Sequence, residues 1–117
     1  MNINETSLTK PSQVSAGHKD DQEKNRLDLI EPEFIEGVGK VLTFGADKYE
    51  PNNWQKVEDA ENRYYAAAMR HLMAWRKGEK TDPESGISHL DHVACNIMFL
   101  QHFERLADDW CIVKEND

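Results

Sequence analysis

Residues 85–103 read "SGISHLDHVACNIMFLQHF", and this stretch decides the fold. It has the apolar density of a buried helix, yet it carries two histidines and an asparagine at spacings that stack on one side. At about 100° per residue, His89, His92, Val93, Asn96, Leu100, Phe103 and Ala107 fall in one stripe roughly 100° wide. Asp91, Gln101, His102, Arg105 and Asp109 take the opposite side, which reads as the solvated face. A helix over 87–109 is predicted, with Ser88 and Asp91 in a capping-box-like relation. Polar groups therefore stand where core residues belong. A lone buried histidine usually has a structural partner, whereas several on one face must each find one or cost about 1–3 kcal/mol.

The preceding stretch answers them. Residues 58–77, "EDAENRYYAAAMRHLMAWRK", form a second predicted helix, apolar nearly all round and so expected to be central. Between the two lies "GEKTDPES", residues 78–85, in which Asp82 and Pro83 suit the start of a helical turn. A connection this short favours an antiparallel hairpin. With the turn near residue 82, His71 faces the region of His92 and Ala67 that of Asn96. Arg63 and Arg70 lie two turns apart, about 10 Å along the axis, on the flank of the same face. Ala60, Ala67 and Ala74 leave room between the helices. The expectation is a polar pocket lined by Arg63, Arg70, His71, His89, His92 and Asn96, with Glu79, Asp82, Glu84 and Ser85 at its mouth.

Working further outward, Phe34, Ile35, Val38, Val41 and Leu42 recur at helical spacing after Pro32, which predicts a helix over 32–46. Gly37 and Gly39 each weaken it by about 1 kcal/mol but allow close backbone approach. Residues 1–25 lack apolar periodicity and read as a polar arm, leaving 26–117 as the folded domain. No alternating strand pattern appears. The fold class is all-α, a helical bundle built on an antiparallel helix hairpin.

Composition narrows the function. The 117 residues are 38% hydrophobic, enough for one core, with no apolar run near the ~20 residues that span a bilayer. A net charge of −8 without a basic block excludes general nucleic-acid binding, though a small anionic ligand needs only local donors. Two cysteines, Cys95 and Cys111, make no disulfide framework, and a reducing cytoplasm fits. Arginine forks grip phosphate oxygens, and histidines donate, transfer protons or bind transition metals. Together they point to a nucleotide. The apolar surround of the second helix exceeds what one hairpin can cover, which predicts a homo-oligomer.

Four blocks, "RLDLIEPEF" (26–34), "LTFGADKYEPNNW" (42–54), "RYYAAAMRHLMAWRKGE" (63–79) and "DPESGISHLDHVACNIMFL" (82–100), resemble in order those of the phage dATP/dGTP diphosphohydrolase N-terminal domain family. That family is similar to the MazG-like all-α NTP pyrophosphohydrolases. The resemblance implies a helical, usually oligomeric protein of the host cytoplasm. It would convert purine deoxynucleoside triphosphates to monophosphate and pyrophosphate with a divalent cation, Mg²⁺ or Mn²⁺. MazG-like enzymes hold Mg²⁺ through ExxE and ExxD carboxylates, whereas the corresponding faces here carry Arg70, His71, His89, His92 and Asn96. A histidine-bound transition metal is thus an alternative.

In this reading His71, His92 and Glu79 are catalytic, while His89, His92, Asp82 and Glu84 are candidate metal ligands. Lys48, Asn53, Trp54, Arg63, Arg70 and Asn96 would contact the nucleotide. Two other readings stay open: a non-catalytic phage sponge for a nucleotide immune signal (a cyclic dinucleotide or an ADP-ribose derivative), and a structural protein whose polar network sets helix register.

Overall fold

The computed structural model describes residues 24–116. Three α-helices account for most of them: α1 (Pro32–Lys48), α2 (Ala60–Arg76) and α3 (His89–Asn116). Short 3₁₀ turns occupy Leu27–Leu29 and Asn53–Lys56. Among the described residues the only β-type pairing is an isolated bridge between Thr81 and Ser88, so the fold is all-α. Residues 1–23 of the predicted arm lie outside the described residues. No described helix is long and apolar enough to cross a membrane.

Each helix end has a local cause. Pro32 stands in the first turn of α1, where its missing N–H is not needed. The hydroxyl of Ser88 accepts the amide of Leu90 at 3.1 Å and so caps α3. The third helix runs past the predicted residue 109 because "DWCIVKEN" (109–116) contains neither glycine nor proline to stop it. The end of α2 is the most informative. Gly78 sits at φ 109°, its amide donates to the carbonyl of Trp75, and the amide of Glu79 reaches back to Ala74. This is a Schellman motif, and its left-handed residue favours glycine. It turns the chain sharply and delivers Glu79 beside α3.

The expectation that α2 is central is corrected. Both α1 and α2 pack on α3, which contributes His89, His92, Cys95, Asn96 and Phe99 to the interior, whereas α2 contributes only Ala60 and Ala68. The apolar positions that encircle α2 include a face that no other described element covers: Tyr65, Met69, Leu72 and Met73 stay exposed. The buried stripe of α3 is also turned from the predicted one, with Cys95 and Phe99 inside and Val93 and Leu100 only half-buried.

Below the histidines the hairpin closes on aromatic rings. Trp54, carried by the turn that follows α1, stacks on Phe99 at 4.4 Å and meets His102 edge-on at 4.8 Å. Tyr64 packs on Phe99 at 4.7 Å and donates its hydroxyl to the carbonyl of Trp54 at 2.8 Å. His102, expected on the solvated face, is drawn into this cluster by Trp54.

Asp91 likewise leaves the solvated class, because α1 crosses it at Gly37, the one buried residue of that helix. A methyl group on Gly37 would collide with the Asp91 carboxyl group. Gly37→Ala should therefore lower stability by about 1–2 kcal/mol, the collision outweighing the roughly 1 kcal/mol gain in helix propensity. In an Asp91→Ala background the sign should reverse. A double-mutant cycle in urea reads both; additive effects would place α1 elsewhere.

Candidate functional site

The predicted convergence of α2 and α3 is present. The rings of His71 and His92 stack face to face, 4.3 Å between centroids and 5° from parallel. The Nδ1 atoms of His71 and His89 approach to 2.8 Å. His89 and His92 are buried, and His71 is half-buried.

The loop between the helices supplies the rest of the polar set, and its shape comes from short-range bonds. Asp82 accepts the amide of Ser85 at 2.9 Å, and Gly86, at φ 74°, returns its amide to the Asp82 carbonyl. The Thr81–Ser88 bridge closes the loop, and the amide of His89 donates to the carbonyl of Lys80. Asp82 and Pro83 thus open a tight turn, not a helix. Ser85 Oγ accepts the amide of Ile87 at 3.1 Å and shares a hydrogen bond with His92 Nε2 at 2.7 Å. Glu79, aimed by the Schellman turn, accepts from His89 Nε2 at 2.8 Å. Asp82 Oδ2 lies 4.0 Å from His92 Nε2.

Burial holds the His71 imidazole well below its ordinary range, down to about 4, with the neighbouring His92 adding to the effect. Burial also lowers His92, partly offset by the Asp82 carboxylate. Asp82 is pushed up by burial, but the backbone and hydroxyl of Ser85 outweigh this and hold it below the usual carboxylate range. At neutral pH the stacked pair His71 and His92 is therefore uncharged beside a carboxylate. That combination offers lone pairs and negative charge to a cation or to an acidic proton. Cys95 takes no part: burial pushes its thiol up to about 12, and it packs as a small apolar residue.

The remaining predicted residues divide by position. Arg70, Met73, Ala74, Lys77 and Glu79 line an open groove, which meets the histidine cluster through the bond from His89 to Glu79. Lys48, at the end of α1, pairs with Glu84 at 2.6 Å, tying that helix to the loop. Asn96 is buried, and one N–H of its amide donates to the His92 carbonyl at 2.8 Å within α3. Arg63 is exposed beside Tyr64, level with the aromatic half of the hairpin. Asn53 opens the turn that carries Trp54, whose ring packs against Phe99. The Ser85–His92 hydrogen bond and the place of Lys77 in the groove were not anticipated. The DPESG turn was the available signal for the first; nothing in the local sequence separates Lys77 from other surface lysines.

Residues 14–109 match the sequence profile of a family described as dATP/dGTP diphosphohydrolase, N-terminal. The curated dATP/dGTP diphosphohydrolase of Salmonella phage PMBT28 is 41% identical over 86 residues, which cover 72% of this chain. The aligned region spans only 28% of that relative's length. No solved structure matches the chain.

Proposed function

The chain belongs to the dATP/dGTP diphosphohydrolase N-terminal family, and on that premise we propose that its histidine-lined hairpin hydrolyses purine deoxynucleoside triphosphates. Water adds to the α-phosphorus, the bond to the β-phosphate oxygen breaks, and deoxynucleoside monophosphate and pyrophosphate leave. The observation that carries this reading is the convergence of three imidazoles and Asp82 beside a groove bearing Arg70 and Lys77.

The roles follow from placement. Arg70 and Lys77 neutralise the β- and γ-phosphates, which become the leaving group. His92 is the general base. Its neutral ring presents Nε2 to the Ser85 hydroxyl, and a water at that position would give the same lone pair its proton. The proton then passes to the departing pyrophosphate or to solvent. His71 stacks on His92 and keeps its ring in plane. Glu79 fixes the orientation of His89. Mg²⁺, the ion implied by the MazG-like resemblance, does not suit this donor set: it prefers six oxygen ligands, and His71, Asp82 and His89 together offer one carboxylate and two imidazoles.

A second copy of the chain is part of this proposal. Tyr65, Met69, Leu72 and Met73 recur at i, i+4, i+7 and i+8, forming one apolar face of α2 that is 39–60% exposed. A monomeric mass in solution would refute the oligomer. A protein acting on these nucleotides would work in the host cytoplasm.

The test is incubation of the full chain with dATP or dGTP in Mg²⁺, Mn²⁺, Zn²⁺ or chelator, with products separated by chromatography. Release of dAMP or dGMP with pyrophosphate, lost in chelator, is the expected result. Intact nucleotide recovered from heat-denatured protein, with no turnover under any condition, would replace hydrolysis by sequestration.

A further inference from the structure

The two closest ring nitrogens in the site raise a question of protons. Glu79 accepts from His89 Nε2, so a neutral His89 keeps a bare lone pair on Nδ1. That lone pair faces His71 Nδ1 at 2.8 Å. Between two neutral imidazoles this distance requires one proton on the line joining them, supplied here by His71. Asp82 completes a triangle: one ligand atom each from His71, Asp82 and His89 lies within 4.8 Å of the other two. A proton bridging two imidazoles beside a carboxylate occupies a place suited to an ion.

The geometry points to a transition-metal dication of the zinc or cobalt type, held by His71 Nδ1, His89 Nδ1 and Asp82, with Glu79 as the outer carboxylate. This deepens the reading of the same site given above. Metal–imidazole bonds of about 2.0–2.1 Å at a tetrahedral angle set two nitrogens about 3.3 Å apart, so the pair must open by only about half an ångström. His71 then carries its proton on Nε2, with no net charge change. The bond from Glu79 to His89 is the carboxylate–histidine–metal arrangement that fixes a tautomer and raises ligand basicity. Three protein ligands leave one position open for water or a phosphate oxygen.

Two residues of the sequence-based metal set are engaged elsewhere. His92 Nε2 faces the Ser85 hydroxyl, and Glu84 pairs with Lys48. His71 replaces them, and its ligand atom comes from α2. The ion therefore ties α2, the loop and the first turn of α3 together. A donor set of two imidazoles and one carboxylate discriminates against Mg²⁺ and Ca²⁺ by ligand type alone.

The test is titration of the full metal-free chain with Co²⁺, followed by visible absorption, and measurement of zinc content after dialysis against excess Mg²⁺. One ion per chain is expected, with the intense visible bands of four-coordinate cobalt and no displacement by Mg²⁺. His71→Gln and Asp82→Asn should lose the ion while keeping their helical circular dichroism. Glu79→Gln should weaken affinity by about 10–100-fold at unchanged stoichiometry, and Glu84→Gln should leave binding intact. Should the variants unfold, X-ray absorption of the zinc-loaded wild type decides: two imidazoles in the first shell support the site. A shell of oxygen alone, no retained ion, or displacement by Mg²⁺ overturns it. Turnover in Mg²⁺ without any retained ion would overturn this inference and leave the hydrolase reading standing. A cobalt site without turnover in any metal would do the reverse.

Discussion

His92→Ala is expected to hydrolyse dATP and dGTP about 10²–10⁴-fold more slowly than the parent chain, the span typical of removing a positioned general base. The ring is buried, stacks on His71 and is hydrogen-bonded to Ser85, so alanine removes both the proposed proton acceptor and the support of its neighbour. His92→Gln separates these effects. Its side-chain carbonyl can still accept from Ser85 but takes no proton at neutral pH, so it should keep the fold and stay slow. The pH profile adds a signature that loss of packing would not move. A base works unprotonated, so the rate falls as pH drops through its pKa. Because burial holds the His92 imidazole below 6.5, the acidic limb should lie at lower pH than for an ordinary histidine. Wild-type turnover in His92→Gln, or an acidic limb at or above 6.5, would remove His92 from that role.

Trp54→Ala should be among the most damaging single truncations for stability, at about 2–4 kcal/mol, somewhat below the full range for a deeply buried ring because Trp54 is only half-buried. The indole stacks on Phe99, meets His102 and Phe103 edge-on, and fastens the segment between α1 and α2 to the middle of α3. For a domain with an ordinary stability of about 5–15 kcal/mol this is a large share. The hydrogen bond from Tyr64 is to the main chain, so it survives the substitution, and the loss reports the ring alone. Trp54→Phe should recover most of it through the same stack. Urea unfolding checks both. A loss below about 0.5 kcal/mol, accompanied by a raised KM for dATP, would return Trp54 to the nucleotide-contacting role that its place in the sequence invites.

The chemistry of the site was legible where it depended on helical periodicity. His71, His89 and His92 could be brought together because two helices of known pitch and a short connection leave little freedom. Which nitrogen faces which was not legible, because it turns on χ angles and on Glu79, whose direction is set by the left-handed backbone at Gly78. The DPESG turn was visible as a turn, but its hydroxyl partner emerged only once Ser85 and His92 were placed at 2.7 Å. The seat of α1 was the hardest to see. It rests on Gly37 meeting Asp91, a contact between residues far apart in the chain that no local pattern encodes. The second helix misled for a different reason: its apolar residues describe every surface it could cover, and one of those surfaces has no counterpart among the described residues.

The polar cluster has a further property that concerns time. His71, Glu79, Asp82, Ser85, His89 and His92 all lie within residues 71–92, so the chain need close only a short loop to bring them together. Such local contacts form quickly, whereas the Gly37–Asp91 contact must span most of the domain. The chemistry-bearing hairpin can thus be in place on the folding pathway before α1 docks against it. A nascent chain that has emerged through residue 92 already contains all six of these side chains, and the remainder of α3 supplies the packing beneath them.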